Sequence, residues 1–356
     1  MDTLRPVSGA AADVVRALEA WLASGEEPEP LVVETSGSTG APKRVVLSRR
    51  AVLASVEATT KRLGAEGRWV LALPPTYVAG LMVIVRSLVA GHRPILLDGY
   101  LSFAATSLGE SVVGPPRLTS MVPTQLHRAL ESATETSALR SCHSILVGGG
   151  PIDPSLWERA RQAGLPVVAT YGSSETAGGC VYDGTPLDGV SVDLGEDGRI
   201  RLAGPVLFDG YDGDPGLTAA TLVDGWFVTS DLGRWRPDGR LQVLGRVDDV
   251  VVSGGVNVPL PAVAARLRAH PAISAVEVLG VPDVEWGQRV VAFTVGSVSL
   301  DDVRDFVEAE LPRAWAPRQL VVLDSLPLLP NGKTVKDFTP AGMQASLEPG
   351  ELLLRV

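Results

Sequence analysis

The sequence predicts an α/β protein: a large domain of α/β layers that runs into a small antiparallel sheet or barrel, then a small α+β domain. Three observations carry this expectation. From residue 1 to about 245, helical periodicity alternates with short apolar or β-branched runs. After residue 180 the runs shorten and are separated by Asp-Gly turns, at Asp183-Gly184, Asp188-Gly189, Asp197-Gly198, Asp224-Gly225 and Asp238-Gly239. Beyond Gly245-Arg246-Val247-Asp248-Asp249 a new hydrophobic pattern begins. The domains are therefore expected over residues 1–247 and 248–356.

Residues 10–24 place Val14, Ala17, Leu18, Trp21 and Leu22 on one stripe of a helix. Leu31–Glu34 then reads as a strand that ends at a glycine-rich loop. Further strands are expected at 69–73, 94–97, 118–122, 144–147 and 166–171, most of them ending in Gly, Pro or Ser, as binding loops at strand ends of an α/β sheet do. The second domain reads as a strand at Val250–Val252, a helix at 260–270, strands at 275–281 and 289–295, a helix at 300–310 and a strand at 319–323.

Composition excludes several functions. A formal charge of −10 argues against a nucleic-acid partner, because affinity for polyphosphate comes from a basic face that releases counterions. A locally basic site for a small phosphorylated ligand is still compatible with it. The two cysteines, Cys142 and Cys180, and the four histidines form no metal-ligand spacing and no disulfide framework. The first residues, MDTLRPVSGAAADVV, show no leader pattern, and no apolar run approaches the length of a membrane span, so a cytoplasmic protein is expected.

Of 31 basic residues only four are lysines, Lys43, Lys61, Lys333 and Lys336. In a chain that meets its surface needs with arginine, lysines at glycine-rich turns gain weight as compact charges for phosphate oxygens. Lys43 closes Thr35-Ser36-Gly37-Ser38-Thr39-Gly40-Ala41-Pro42-Lys43, a turn dense in hydroxyls and glycines. Backbone N–H groups and hydroxyls in such a turn can approach phosphate closely. Taken alone it can also be read as a surface loop, and it is not a Walker A loop, since Lys43 follows Pro42 and precedes Arg44. Gly148-Gly149-Gly150-Pro151 lacks the spacing of a dinucleotide fingerprint but offers a flat wall for a planar base. Tyr171-Gly172-Ser173-Ser174-Glu175-Thr176 joins an aromatic face to a hard oxygen ligand for Mg²⁺, and could also be a plain turn with a helix cap. Asp231 and the Arg246–Asp248 segment supply an acid suited to ribose hydroxyls and a nearby arginine.

Taken in order, these motifs, with Gly254-Gly255 and Lys333, resemble the adenylate-forming superfamily of acyl-CoA synthetases, luciferases and peptide-synthetase adenylation domains. The resemblance runs from residue 31 to about 338. Within it, the short length, the Tyr171–Gly184 stretch and Leu146–Gly150 are most similar to the actinobacterial type of o-succinylbenzoate–CoA ligase of menaquinone biosynthesis. That resemblance implies a ligase using ATP, Mg²⁺ and coenzyme A on a small carboxylic acid, through an acyl-adenylate and then a thioester.

The resemblance also implies roles. Thr35, Ser36, Gly37, Ser38, Thr39, Gly40 and Lys43 would hold the β- and γ-phosphates. Gly148, Gly149, Gly150, Tyr171 and Gly172 would flank adenine. Glu175 would support Mg²⁺ and Thr176 the α-phosphate, while Asp231 and Arg246 would bind ribose. Lys333 would serve adenylation, Asp248 the rotation of a mobile small domain, and Gly254, Gly255 and Trp286 the CoA channel, with core packing a close second reading for Trp286. Tyr77, Gly80, Ser173, Ser174 and Gly179 are acyl-pocket candidates.

Two departures stand out. The phosphate loop begins at residue 35, far earlier than in most of the superfamily, so the large domain is expected to be truncated, which is compatible with a homodimer that covers the remaining sheet. Tyr77 stands where many relatives carry histidine. Two alternatives stay open: another aryl- or fatty-acyl adenylating enzyme, and a nucleotide-binding module without catalysis.

Overall fold

The computed structural model describes residues 3–35, 42–97 and 114–326. These divide into two compact units: one up to Thr229 with Gly233–Gln242, the other formed by Ser230–Leu232 and the chain from Val243 onward. The strands Trp226–Trp235 and Leu241–Arg246 carry the chain from one to the other.

The first unit is built on a seven-stranded sheet. In spatial order its strands are Ile95–Leu96, Arg68–Leu71, Arg117–Met121, Ser144–Val147, Val167–Ser173, Gly178–Tyr182 and Thr185–Pro186. The first five are parallel and the last two antiparallel. Both faces are covered, and the side-chain period of two divides the strands between two cores. Trp69, Leu71 and Leu146 join a core with Leu18, Leu31 and Leu81, whereas Val70, Ile145 and Val147 join one with Leu126, Leu139 and Leu156.

Two smaller sheets lie wholly or partly in this unit. Leu31–Glu34 is a strand, but it pairs antiparallel with Arg44–Leu47 rather than joining the large sheet, and Gly210–Tyr211 lies on the far side of Arg44–Leu47. The Val-Val-Leu run at 45–47 is too short for periodicity to separate it from the helix that follows, Arg49–Leu63, capped by Ser48. The Asp-Gly region forms a five-stranded sheet with Ser191–Leu194, Arg199–Ala203, Trp226–Trp235, Leu222–Val223 and Leu241–Arg246. Asp183-Gly184 and Asp224-Gly225 are two-residue hairpin turns with both residues at positive φ.

The helix Val78–Val89 is packed on nearly every side; Leu81, Met82, Val83, Ile84 and Val85 have no exposed surface. A helix this apolar sits inside the unit, and its sole charged residue, Arg86, is carried in with it. Among the described residues no helix is long and apolar enough to cross a membrane.

In the second unit Val256–Pro259, Val250–Ser253, Gly287–Gly296 and Ile273–Asp283 form an antiparallel sheet, with Gln319–Val322 parallel to Gly287–Gly296. The helices Leu260–Arg268 and Leu300–Glu308 supply Val263, Leu267, Val303 and Val307 to a core with Val276, Val278 and Val290. Ser299 and Asp302 cap the second helix reciprocally.

Candidate active site

Two backbone segments meet at the foot of the hydroxyl-rich loop. The Thr35 N–H donates to the Lys43 carbonyl at 2.9 Å, and Glu34 lies opposite Arg44 in the strand register. The loop thus joins two antiparallel strands instead of a strand and a helix, so the N-terminal helix dipole of a Walker A site has no counterpart here. Ser36, Gly37, Ser38, Thr39 and Gly40 lie outside the described residues. Arg44 pairs with Asp212 at 2.8 Å and stands 3.9 Å from Glu34, which ties the loop's foot to the strand Gly210–Tyr211.

Tyr211 was not singled out from the sequence, yet it joins the loop to the Glu175 turn. Its hydroxyl donates to Oε1 of Glu175 at 2.8 Å, and the Lys43 ammonium stands 5.5 Å from its ring centroid. Burial first, then the negative charge of Glu175, pushes the Tyr211 phenol far above its ordinary pKa, so it is a fixed donor. Glu175 is 8% exposed, and its carbonyl accepts from the Phe208 N–H at 2.9 Å. The turn after it is strained: Ala177 holds φ +47° with no exposed surface, braced by the Ser55 hydroxyl donating to its carbonyl at 2.9 Å.

Thr176, for which the resemblance implied an α-phosphate role, lies inside the turn. It has no exposed surface, and its hydroxyl accepts from the Ser173 N–H at 2.9 Å and donates to the Gly178 carbonyl at 2.7 Å. The hydroxyl closes the turn.

A cavity of about 110 Å³ lies beside this turn, lined by Gly148, Gly149, Gly172, Ser173 and Gly179 among the expected residues. The glycines have a steric reason: a Cβ on Gly148 would fall 2.3 Å from Oγ1 of Thr170, and one on Gly172 2.2 Å from the Gly178 carbonyl oxygen. Gly150 faces open space, and Tyr171 is half-buried against the first core. Three pocket candidates fall outside the lining. Tyr77 is 47% exposed ahead of the helix Val78–Val89, Gly80 makes room for the Pro74 carbonyl, and Ser174 is buried in the turn.

Arg86 is the residue that sequence reasoning missed in this cavity. It lines the wall together with Met82, Ser120 and Tyr182 and is only 5% exposed. Its guanidinium lies 5.2 Å from the Trp69 ring centroid, and its Nε is buried without a hydrogen-bond partner. It forms no salt bridge among the described residues. Ser173 Oγ is likewise buried and unpartnered. An arginine inside an apolar helix was the available sequence signal.

In the second unit Arg246 stands 3.7 Å from Asp231. Asp248 is exposed in the single turn Val247–Asp249. Gly254-Gly255 forms the two-residue turn between Val250–Ser253 and Val256–Pro259, with φ +58° and +78°. A Cβ on Gly254 would sit 2.6 Å from the Trp286 ring, so the missing side chain makes room for tryptophan. Trp286 also carries the Arg318 guanidinium 3.3 Å from its ring centroid. Trp286, for which the resemblance implied a CoA contact, is thus packed by Gly254 and Arg318 and remains partly exposed. Lys333 lies outside the described residues.

Residues 31–208 match the AMP-binding enzyme family, and residues 262–333 match its C-terminal domain; the chain belongs to that family. Its relatives are narrower in kind. The chain is 42% identical over 313 residues to the probable 2-succinylbenzoate–CoA ligase of Mycobacterium tuberculosis, covering 85% of this chain and 82% of that protein. The o-succinylbenzoate CoA synthetase of Bacillus subtilis, solved with its acyl-adenylate intermediate, superposes with a TM-score of 0.68 at 29% identity, over 86% of this chain and 67% of that one. The same enzyme solved with ATP and a magnesium ion gives the same TM-score and identity, over 86% of this chain and 68% of that one.

Proposed function

We propose that this chain is a 2-succinylbenzoate–CoA ligase, which adenylates one carboxylate of its substrate with ATP and transfers the acyl group to CoA. The observation that carries the reading is Arg86, a buried cation with an unpartnered Nε in the wall of a small cavity. The substrate that the relatives are named for has two carboxylates. One reacts, and the other must enter the protein as an anion. A buried arginine without a counter-ion among the described residues is the group that would compensate it, and Ser173 Oγ adds a hydroxyl. A fatty acid brings no second anion and would leave Arg86 uncompensated.

In the first half-reaction a carboxylate oxygen attacks the α-phosphorus and the bond to pyrophosphate breaks. The chain's part is to position and to stabilise charge. The loop from Thr35 to Lys43 holds the β- and γ-phosphates. Gly148 and Gly149 shape the wall beside adenine, and Asp231 with Arg246 takes the ribose. Thr176 shapes the turn that presents Glu175. Mg²⁺ fits this donor set, since Glu175 offers a hard oxygen beside the segment that would hold the phosphates. Mg²⁺ characteristically takes one or two carboxylates plus substrate phosphates, and when bound it would neutralise charge on the phosphates.

Lys333 would bridge the carboxylate and an α-phosphate oxygen. In the second half-reaction the CoA thiol, losing its proton, attacks the acyl carbon, and AMP leaves with the electrons of the broken C–O bond. Rotation of the small domain about Asp248 exchanges Lys333 for the turn at Gly254-Gly255 between the halves. ATP and CoA are cytoplasmic pools, which is where the enzyme would act.

Pyrophosphate release measured with 2-succinylbenzoate, benzoates and fatty acids, each with and without CoA, tests the reading. Release with 2-succinylbenzoate and CoA-dependent thioester formation is expected. Activity confined to fatty acids would overturn it.

A further inference from the structure

The hydroxyl of Tyr211 and the carboxylate of Glu175 are separated by 36 residues in sequence and meet in a buried bond of 2.8 Å. We propose that Tyr211 is a positioning residue that commits Oε1 of Glu175 and so leaves Oε2 as the oxygen for a hard cation carried by the nucleotide. The inference rests on the reading of Glu175 as the metal-supporting carboxylate.

The argument is geometric. A carboxylate free to rotate can offer a cation either oxygen or both, whereas Mg²⁺ requires near-octahedral geometry and favours a single oxygen from each carboxylate. An immobile donor on Oε1 removes the bidentate alternative and fixes the plane of the group. Tyr211 is immobile for visible reasons. Its N–H donates to Oγ1 of Thr218 at 2.9 Å, its strand is paired with Arg44–Leu47, and Phe208 packs edge-on at 4.9 Å between centroids. The same ring has Lys43 above its face at 5.5 Å. An ammonium there draws electron density from the ring and makes the phenol a better donor. One side chain therefore links the lysine that closes the phosphate loop to the carboxylate that faces the metal role.

The test is ATP binding by titration calorimetry on the whole chain, with Mg²⁺ and with chelator. Tyr211→Phe keeps the ring and removes only the donor. It is expected to weaken Mg²⁺-dependent ATP binding about 10-fold, the usual order for loss of a partner behind a metal ligand, with metal-free ATP binding unchanged. Thermal melts of the variant with and without MgATP separate the outcomes further. A metal-site loss shrinks the increment given by MgATP, whereas a folding loss lowers both curves and leaves that increment. Equal weakening with and without metal, or an unchanged increment, overturns the proposal. Glu175→Gln serves as the reference. If it retains the Mg²⁺ dependence, the reading of Glu175 itself fails; if it loses that dependence while Tyr211→Phe keeps it, only the role of Tyr211 fails.

Discussion

Gly254 packs against Trp286: its N–H donates to the Trp286 carbonyl at 2.9 Å, and its α-carbon leaves no room for a Cβ beneath the indole. Gly255, beside it, has a similar positive φ and open space around it. The pair thus contains its own control. Gly255→Ala should cost about 1 kcal/mol of left-handed strain, whereas Gly254→Ala should cost roughly 2 kcal/mol more through the clash. Chemical denaturation measures both, and in a double-mutant cycle Trp286→Ala should recover most of the difference. Equal costs at the two glycines would remove the packing explanation.

Arg86→Met replaces a buried cation by an apolar chain of similar length. With 2-succinylbenzoate, kcat/KM should fall on the order of 100-fold, as expected when one partner of a buried charged contact is lost. With an analogue that keeps only the reacting carboxylate, the loss should be about 3-fold or less, since that ligand never used the cation. The free protein should be as stable as wild type or more so, because an uncompensated buried charge has gone. Equal losses on both substrates would show that Arg86 holds the fold instead of the acid.

Lys333→Ala is expected to abolish adenylate formation while leaving most thioester formation from preformed acyl-adenylate. Equal loss in both halves would contradict a lysine used in one of them. Asp248→Pro, which stiffens the turn Val247–Asp249, should impair thioester formation selectively, measured as accumulated acyl-adenylate.

Cys142 and Cys180 are both buried, and burial pushes their thiols up to about 11 and about 12. Neither should react quickly with a thiol reagent at neutral pH until the protein unfolds. Each folded pKa lies above the unfolded one. Their contribution to stability is therefore whole below about pH 8.5 and lost as pH climbs towards the folded values. A fast-reacting thiol in the native protein would contradict the burial.

Much of this was legible beforehand. The Val14–Leu18–Trp21 stripe fixes a helix because its spacing matches 3.6 residues per turn, and Ser144–Val147 appears with the expected bounds because an apolar run between polar turns has few other ways to be buried. Asp183-Gly184 and Asp224-Gly225 marked real hairpins because few other residues tolerate their φ. Motif order likewise carried the family, since it lies along the chain itself.

The tertiary structure decided who partners whom. Nothing local to Glu175 names Tyr211, nothing in Gly254 names Trp286, and nothing in Thr176 names the Gly178 carbonyl that its hydroxyl meets. Arg86 shows the division most plainly. The sequence set a cation within an apolar helix, but only packing against Trp69 and the walls of the cavity gave it a buried place with no counter-ion among the described residues. Local spacing governs backbone conformation; the solvation and pairing of a side chain depend on residues brought near it by the whole fold.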